Sequence, residues 1–200
     1  MAQPEEITED GHNKEMQVNV LSQFLLTAIL SKNMKGGRVV WLSSGPGIKL
    51  APMNWKEEAL AEGKFTMESL KTSSSVWNVY GATKLAALQL AAEFQRRNLG
   101  IESTAVNPGF CTTDLQPRAV QKGQSSFLLM GLVQGAFGQS AEDGALMELS
   151  ASFSSPNGSF VEPANLTRGA PKTVGNCGEI LRAAQGKKID MNEENRKLWD

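Results

Sequence analysis

The sequence predicts an α/β protein: a doubly wound parallel sheet with helices on both of its faces. Two observations carry that prediction. Helical and strand-like segments alternate along the chain in the order helix, strand, helix, strand, helix, strand, the order that builds parallel sheets through crossover connections. The first strand-like segment is a short, continuous apolar run without polar alternation, which suits a strand covered on both faces.

The elements follow in order. After the acidic start MAQPEEITEDG, the stretch KEMQVNVLSQFLLTAILSKN places Met16, Val20, Phe24, Leu25 and Ile29 at four- and five-residue spacings, so a long helix is expected from about 10 to 33. Lys35, Gly36 and Gly37 stop it. RVVWLSS then supplies the run Val39, Val40, Trp41, Leu42 as a strand. Residues 45–72 mix Gly, Pro and charge and read as a long loop, a length that usually serves function. Serines 73 to 75 can cap a second long helix from Val76 to about Asn98, closed by RRNLG with its basic last turn and glycine. IESTAVNPG is a second strand ended by Pro108, a helix is expected at about 141–152, GSFVEP is a third strand, and a short helix lies near 178–184. Residues 1–200 form a single domain on this reading.

Composition narrows the function classes. Lys plus Arg number 20 against 21 Asp plus Glu, a formal charge of -1, so no basic field points to nucleic acid or an anionic membrane. The expected partner is a small molecule. Cys111 and Cys177 lack CxxC spacing and suggest neither a disulfide framework nor a zinc site. The apolar runs 20–30 and 127–137 fall short of the roughly 20 residues that span a bilayer. The polar, acidic start fits neither a signal nor a transit peptide, and a cytoplasmic location is expected. His12, the single histidine, reads as a solvated residue near a helix start, which leaves no serine–histidine hydrolase to consider. The 127–137 run is either pocket wall or plain core.

Ligands of such sheets bind beyond the carboxyl ends of the strands. Those ends are Ser43 and Ser44, Asn107 to Gly109, and Glu162 with Pro163. On the second long helix, YGATK sets Tyr80 and Lys84 at i and i+4, one turn apart on one face. A phenol with a pKa near ~10 is a poor proton carrier at neutral pH, and a neighbouring ammonium favours the phenolate and is expected to bring the value down. Gly81, Ala82 and Thr83 between them are small enough for another molecule to approach. A serine hydroxyl at a strand end can join the phenol in holding one substrate oxygen.

Four motifs, Val18–Asn19 in the first helix, SSG after the first strand, YGATK and NPGFCTTDL, occur in an order that resembles the short-chain dehydrogenases/reductases. The retinol-dehydrogenase-like, fungal-type branch is the nearest resemblance, which covers nearly the whole chain and extends to the ending ENRKLWD. It implies a Rossmann-like fold and an NAD(P)-dependent oxidoreductase that interconverts a carbonyl and an alcohol. It implies Tyr80 as general acid/base, with Lys84 lowering its pKa and holding the nicotinamide ribose. Ser44 is implied as the carbonyl-orienting hydroxyl, in preference to Ser43, and Asn19 as the residue supporting a water in the proton relay. Pro108, Gly109, the Cys111 backbone and Thr113 correspond to the loop that touches the nicotinamide carboxamide and phosphates. NAD or NADP is implied, NADP slightly favoured, with no metal. A homodimer is implied through the two long helices, 10–33 and 76–98.

The departures matter equally. The family's glycine-rich turn TGxxxGxG and its NNAG strand end do not occur in the sequence, so about three βα units, roughly 80 to 100 residues, are expected to be lacking from the N-terminal side. Three strands are then expected, with Val39–Leu42 at an open edge. A second reading follows from that: a non-catalytic remnant or fragment that does not bind the dinucleotide.

Overall fold

The computed structural model describes residues 6–45, 48, 76–97, 99–113, 135 and 137–185. The loop 45–72 apart from Gly45 and Ile48, the serines 73 to 75, most of the 115–140 segment and the ending ENRKLWD lie outside the described residues.

The first long helix is broken into three pieces: α1 (Lys14–Met16), a π-helical turn (Gln17–Leu21) and α2 (Ser22–Ser31). Asn13 starts it, its side-chain oxygen accepting from the backbone N–H groups of Glu15 and Met16. β1 (Arg38–Leu42), α3 (Val76–Arg97), β2 (Glu102–Val106), α4 (Ala141–Phe153), β3 (Ser159–Pro163), β4 (Pro171–Asn176) and α5 (Cys177–Gln185) follow. Ser140 caps α4 by accepting from the Asp143 N–H at 3.0 Å.

The sheet order is β1-β2-β3-β4, with β1 to β3 parallel and β4 antiparallel to β3. β4 corrects the expectation of three strands. Its sequence, PKTVGN, begins with proline, holds a glycine and leaves its central residues exposed, so it lacks the apolar run that marks a buried strand. Proline and exposure are tolerated there because β4 lies at a sheet edge.

Side chains alternate across the pleat and make two cores. Trp41, Ala105 and Phe160 join α3 and the α5 residues Cys177 and Leu181 on one face. Val106 and Val161 join Met147 and Ala151 of α4 on the other, with Val40 against them. Helices therefore cover both faces, as the alternation predicts. Trp41 is fixed on the α3 side by donating its indole N–H to Ser103 Oγ at 3.0 Å and by a tilted contact with Phe94 at 6.1 Å.

β1 is less enclosed than its composition suggests. Only Trp41 is buried, residues 38–40 are half-buried and Leu42 is exposed. The reason is position: β1 pairs with β2 on one side and ends the described sheet on the other.

Arg38 locks this edge to α4. Its guanidinium donates to the carbonyls of Ala151 and Ser155 at 2.7 and 2.8 Å, which serves the end of α4, and it also pairs with Glu102.

Candidate active site

Three strand ends meet at one place. Ser43 N–H donates to the Val106 carbonyl and Asn107 N–H to the Val161 carbonyl, both at 2.8 Å, which carries the register one residue past each strand. Asn107 Nδ2 reaches Glu162 Oε2 at 3.5 Å. A Cβ on Gly45 would lie 3.0 Å from Asn107 Nδ2 and 3.2 Å from Glu162 Oε2, so the chain after β1 passes directly over that pair.

The candidate residues on α3 face the β1 end. Lys84 Nζ donates to the Leu42 carbonyl at 3.2 Å and lies 5.6 Å from the centre of the Tyr80 ring. Tyr80 shares a side-chain hydrogen bond with Ser44. Ser43, by contrast, is buried and its hydroxyl donates to the Lys84 backbone carbonyl at 2.7 Å. The two adjacent serines thus divide: Ser43 fastens β1 to α3, and Ser44 meets the phenol. Trp77 meets the Tyr80 ring edge-on at 6.2 Å.

Asn19 joins this group through an intermediary. Its Nδ2 donates to Thr83 Oγ1 at 3.2 Å, and that hydroxyl donates to the Tyr80 carbonyl at 2.8 Å. Ser44, Tyr80, Lys84 and Asn19 come together around two turns of α3.

The expected direction of the phenol's shift is corrected. Burial is its largest influence and raises the Tyr80 pKa above its ordinary value, the Ser44 hydrogen bond pulls it back, and the Glu15 carboxylate raises it further. Burial lowers the Lys84 ammonium, with Glu15 working against that fall. The enclosure that brings the pair together favours the neutral phenol.

Pro108, Gly109, Cys111 and Thr113 follow β2. Gly109 has φ +81°, and a Cβ there would lie 2.6 Å from the Thr167 carbonyl oxygen, so this position requires glycine. Phe110 N–H donates to the same carbonyl at 2.9 Å. The Cys111 thiol donates to the Pro108 carbonyl at 3.3 Å, and its pKa is raised chiefly by burial. Cys111 also pairs its backbone with Gln139, and Gly144 of α4 leaves the space that its sulfur fills. Cys177 is buried in the core, where burial pushes its thiol up to about 12. His12 is half-buried, its N–H donating to Thr8 Oγ1 at 3.2 Å.

Sequence reading missed Glu15, named Ser43 only as a strand-end residue and Thr83 only as a small one, and did not give either its hydrogen bond. Glu15 stands four residues before Asn19, a spacing that could have placed it on the same helix face. The resemblance chose Ser44 over Ser43, but the tether that Ser43 makes was not legible, because it depends on where the Lys84 carbonyl lies.

No protein-family model matches the chain. It is 31% identical over 150 residues to the short-chain dehydrogenase TIC 32 A, chloroplastic, of Brassica napus, and equally to TIC 32 B, covering 66% of this chain and 44% of each relative. It is 29% identical over 105 residues to a protein named as daunorubicin C-13 ketoreductase DnrU of Streptomyces sp. (strain C5), covering 51% of this chain and 32% of that one. These similarities support the short-chain dehydrogenase/reductase superfamily. The chain spans less than half the length of those curated relatives. The crystal structure of an uncharacterized protein from Mycobacterium Paratuberculosis matches with a TM-score of 0.58 and 23% identity over 92% of this chain and 63% of that one. That likeness concerns the fold and agrees with a Rossmann-like α/β sheet.

Among the described residues no helix is long and apolar enough to cross a membrane, and no cluster of metal-ligating side chains occurs.

Proposed function

We propose that this chain is the catalytic portion of an NAD(P)-dependent oxidoreductase that interconverts a carbonyl and an alcohol. The observation that carries the reading is the meeting of Ser44, Tyr80 and Lys84 at the carboxyl end of β1.

In carbonyl reduction, Ser44 and Tyr80 hold the substrate oxygen between two hydroxyl donors, and Tyr80 gives its proton as the oxygen gains negative charge. The raised phenol pKa keeps that proton available at neutral pH. Lys84 opposes the negative charge left on the phenolate. Asn19, through Thr83, steadies the turn of α3 that carries Tyr80.

The residues present suit the nicotinamide end of the cofactor: Lys84 has three N–H groups, one committed to the Leu42 carbonyl, and Pro108 to Thr113 form a loop set by Gly109. Tyr80, Lys84, Pro108, Gly109, the Cys111 backbone and Thr113 would hold it, and when bound it supplies the hydride. NADP is slightly favoured over NAD. The retinol-dehydrogenase-like branch, a cytoplasmic location and a small carbonyl substrate complete the proposal.

A homodimer is also proposed. Of the two helices expected to pair, α3 is buried from Leu85 to Phe94 within one chain, and of the two, among the described residues, the large exposed apolar side chains lie on α2 and the π-helical turn before it. The contact is accordingly assigned to α2.

The test assays the protein with NADPH, NADH and a panel of aldehydes and ketones. Tyr80→Phe is expected to cut turnover by roughly 10² to 10⁴ with the fold intact. Near-normal turnover in that variant would overturn Tyr80's role. The alternative, a fragment that does not bind the dinucleotide, draws on the lack of TGxxxGxG in the sequence and on β1 standing at the edge of the described sheet. Titrating residues 1–200 alone with NADPH while following thermal unfolding decides it: an upward shift of the transition excludes that alternative.

A further inference from the structure

As the chain leaves β1 it passes over the side chain of Asn107, a buried amide that the proposed chemistry has not used. Each end of that side chain has a place. Its Oδ1 accepts from the Gly109 N–H at 3.1 Å, within the loop read as holding the nicotinamide. Its Nδ2 points across the strand ends and lies 3.5 Å from both Glu162 Oε2 and the Leu166 carbonyl oxygen. The Asn107 backbone N–H donates to the Val161 carbonyl at 2.8 Å, so the residue is fixed to β3 as well.

Gly45 lies against the amide nitrogen from the β1 side. A Cβ there would come within 3.0 Å of Asn107 Nδ2. Gly45 is not among the glycines of positive φ, so it is the close approach and not the backbone conformation that reserves the position for glycine. Ser44 thus stands between two anchors. Before it, Ser43 donates its N–H to the Val106 carbonyl and its hydroxyl to the Lys84 carbonyl. After it, Gly45 rests on Asn107. Leu166 gives a further sign that this spot is constrained: among the described residues it is the one non-glycine with positive φ, +65°, and its carbonyl is turned to Nδ2. Such a backbone persists where its surroundings hold it.

We propose that Asn107 is a positioning residue for the site: its side chain joins the Gly109 loop to the turn at Gly45 and thereby sets Ser44 against Tyr80. The substrate oxygen between Ser44 and Tyr80 and the loop for the nicotinamide are then kept in one register. Hydride transfer requires this, because a misplacement of about 1 Å costs on the order of 10²-fold in rate. That consequence rests on the reading of Ser44 and Tyr80 as the pair that holds the substrate oxygen.

Tyr80 is the only tyrosine in the chain, so the near-ultraviolet absorbance of tyrosinate reports it alone. The experiment is a stopped-flow pH jump on the 200-residue chain, reading that absorbance before any alkaline unfolding, for the wild type, Ser44→Ala, Asn107→Ala and the double variant. The Ser44 hydrogen bond lowers the proton affinity of the phenol, so Ser44→Ala should raise the Tyr80 midpoint. Asn107→Ala should raise it too, and should add nothing once Ser44 is replaced. The proposal is overturned by an unshifted midpoint in Ser44→Ala, by an unchanged or lowered one in folded Asn107→Ala, or by an Asn107→Ala rise that persists in full without Ser44. Gly45→Ala presses a methyl group on the same amide and should raise the midpoint likewise, and it decides the matter where Asn107→Ala does not fold. Failure of both to fold would assign the contact to the architecture alone and also overturn the proposal. With NADPH and a carbonyl substrate, Asn107→Ala should cut kcat roughly 10²-fold with little change in the substrate KM, and a kcat near that of the wild type would overturn the catalytic consequence. A wild type without activity would count against the oxidoreductase reading and leave the tyrosinate result to decide the role of Asn107.

Discussion

The two long helices differ in a way their composition does not foretell. α2, SQFLLTAILS, has no charged residue, yet none of its ten residues is buried, and Leu25, Leu26, Ile29 and Leu30 are 46 to 60% exposed. α3 carries Lys84, Gln89, Glu93 and Gln95, yet its residues from Leu85 to Phe94 are all buried. The more apolar helix is the more exposed one. Burial follows location: α3 lies across β1 and β2, with α1 and α5 against it, whereas α2 continues from the π-helical turn past that ground. An apolar sequence states what a helix gains by being covered and not what covers it.

The contrast can be broken most directly by truncating one leucine in each helix. Leu88→Ala, at a fully buried position, should cost about 2–5 kcal/mol in denaturant unfolding. Leu25→Ala should cost less than about 0.5 kcal/mol in the isolated chain. Equal losses would mean that α2 is covered in solution.

Glu93 tests the charged side of the contrast, since a fully buried carboxylate is sustained only by its partners. Arg96 holds it at 2.6 Å and Arg97 at 2.7 Å. Burial pushes its carboxyl up, and the two guanidiniums outweigh burial and hold it below its ordinary value of 4.5. The unfolded chain therefore takes up this proton first as the pH falls, so the stability from Glu93 is present above about pH 4.5 and is lost as the pH drops through the folded value. Glu93→Ala should cost about 3 kcal/mol at neutral pH and flatten this acid limb of the stability profile. An unaltered acid limb would refute the assignment.

Gly109→Ala should cost about 1–2 kcal/mol for the left-handed backbone alone, and more for the approach to the Thr167 carbonyl. That strain falls on the loop after β2, so the thermal transition should drop while helix content measured by circular dichroism is kept. An undiminished transition would show that the loop can reshape.

The smallest effect on the fold is expected from Leu26→Lys on α2. Unfolding of the monomer should change by less than about 0.5 kcal/mol, and the proposed dimer should dissociate in sedimentation. A monomeric wild type would remove α2 as a pairing surface.

Much of this was legible along the chain. The first long helix ends before Lys35, Gly36 and Gly37 and α3 ends at the RRNLG stop, as expected, because helix stops are local chemistry. Tyr80 and Lys84 were legible as an i, i+4 pair and Ser43 with Ser44 as a strand end because both signals are local, while the choice of Ser44 came from the resemblance. The expected four-residue partnership was legible as a list, although its electrostatics were not. The direction of the phenol's shift depends on how far α3 is enclosed and on an acid from a helix more than sixty residues earlier, neither of which spacing records.

By itself, then, the sequence determined the α/β alternation, the parallel pairing of the first three strands and the residues at their carboxyl ends, since each rests on periodicity and on turn chemistry within a few residues. Tertiary structure decided the antiparallel β4, whose weak pattern acquires a strand's conformation only by pairing with β3. It decided that Ser43 is a tether, by where the Lys84 carbonyl falls. It also decided which apolar helix is covered, because burial is set by neighbours in space, on a scale at which distance along the chain carries little information.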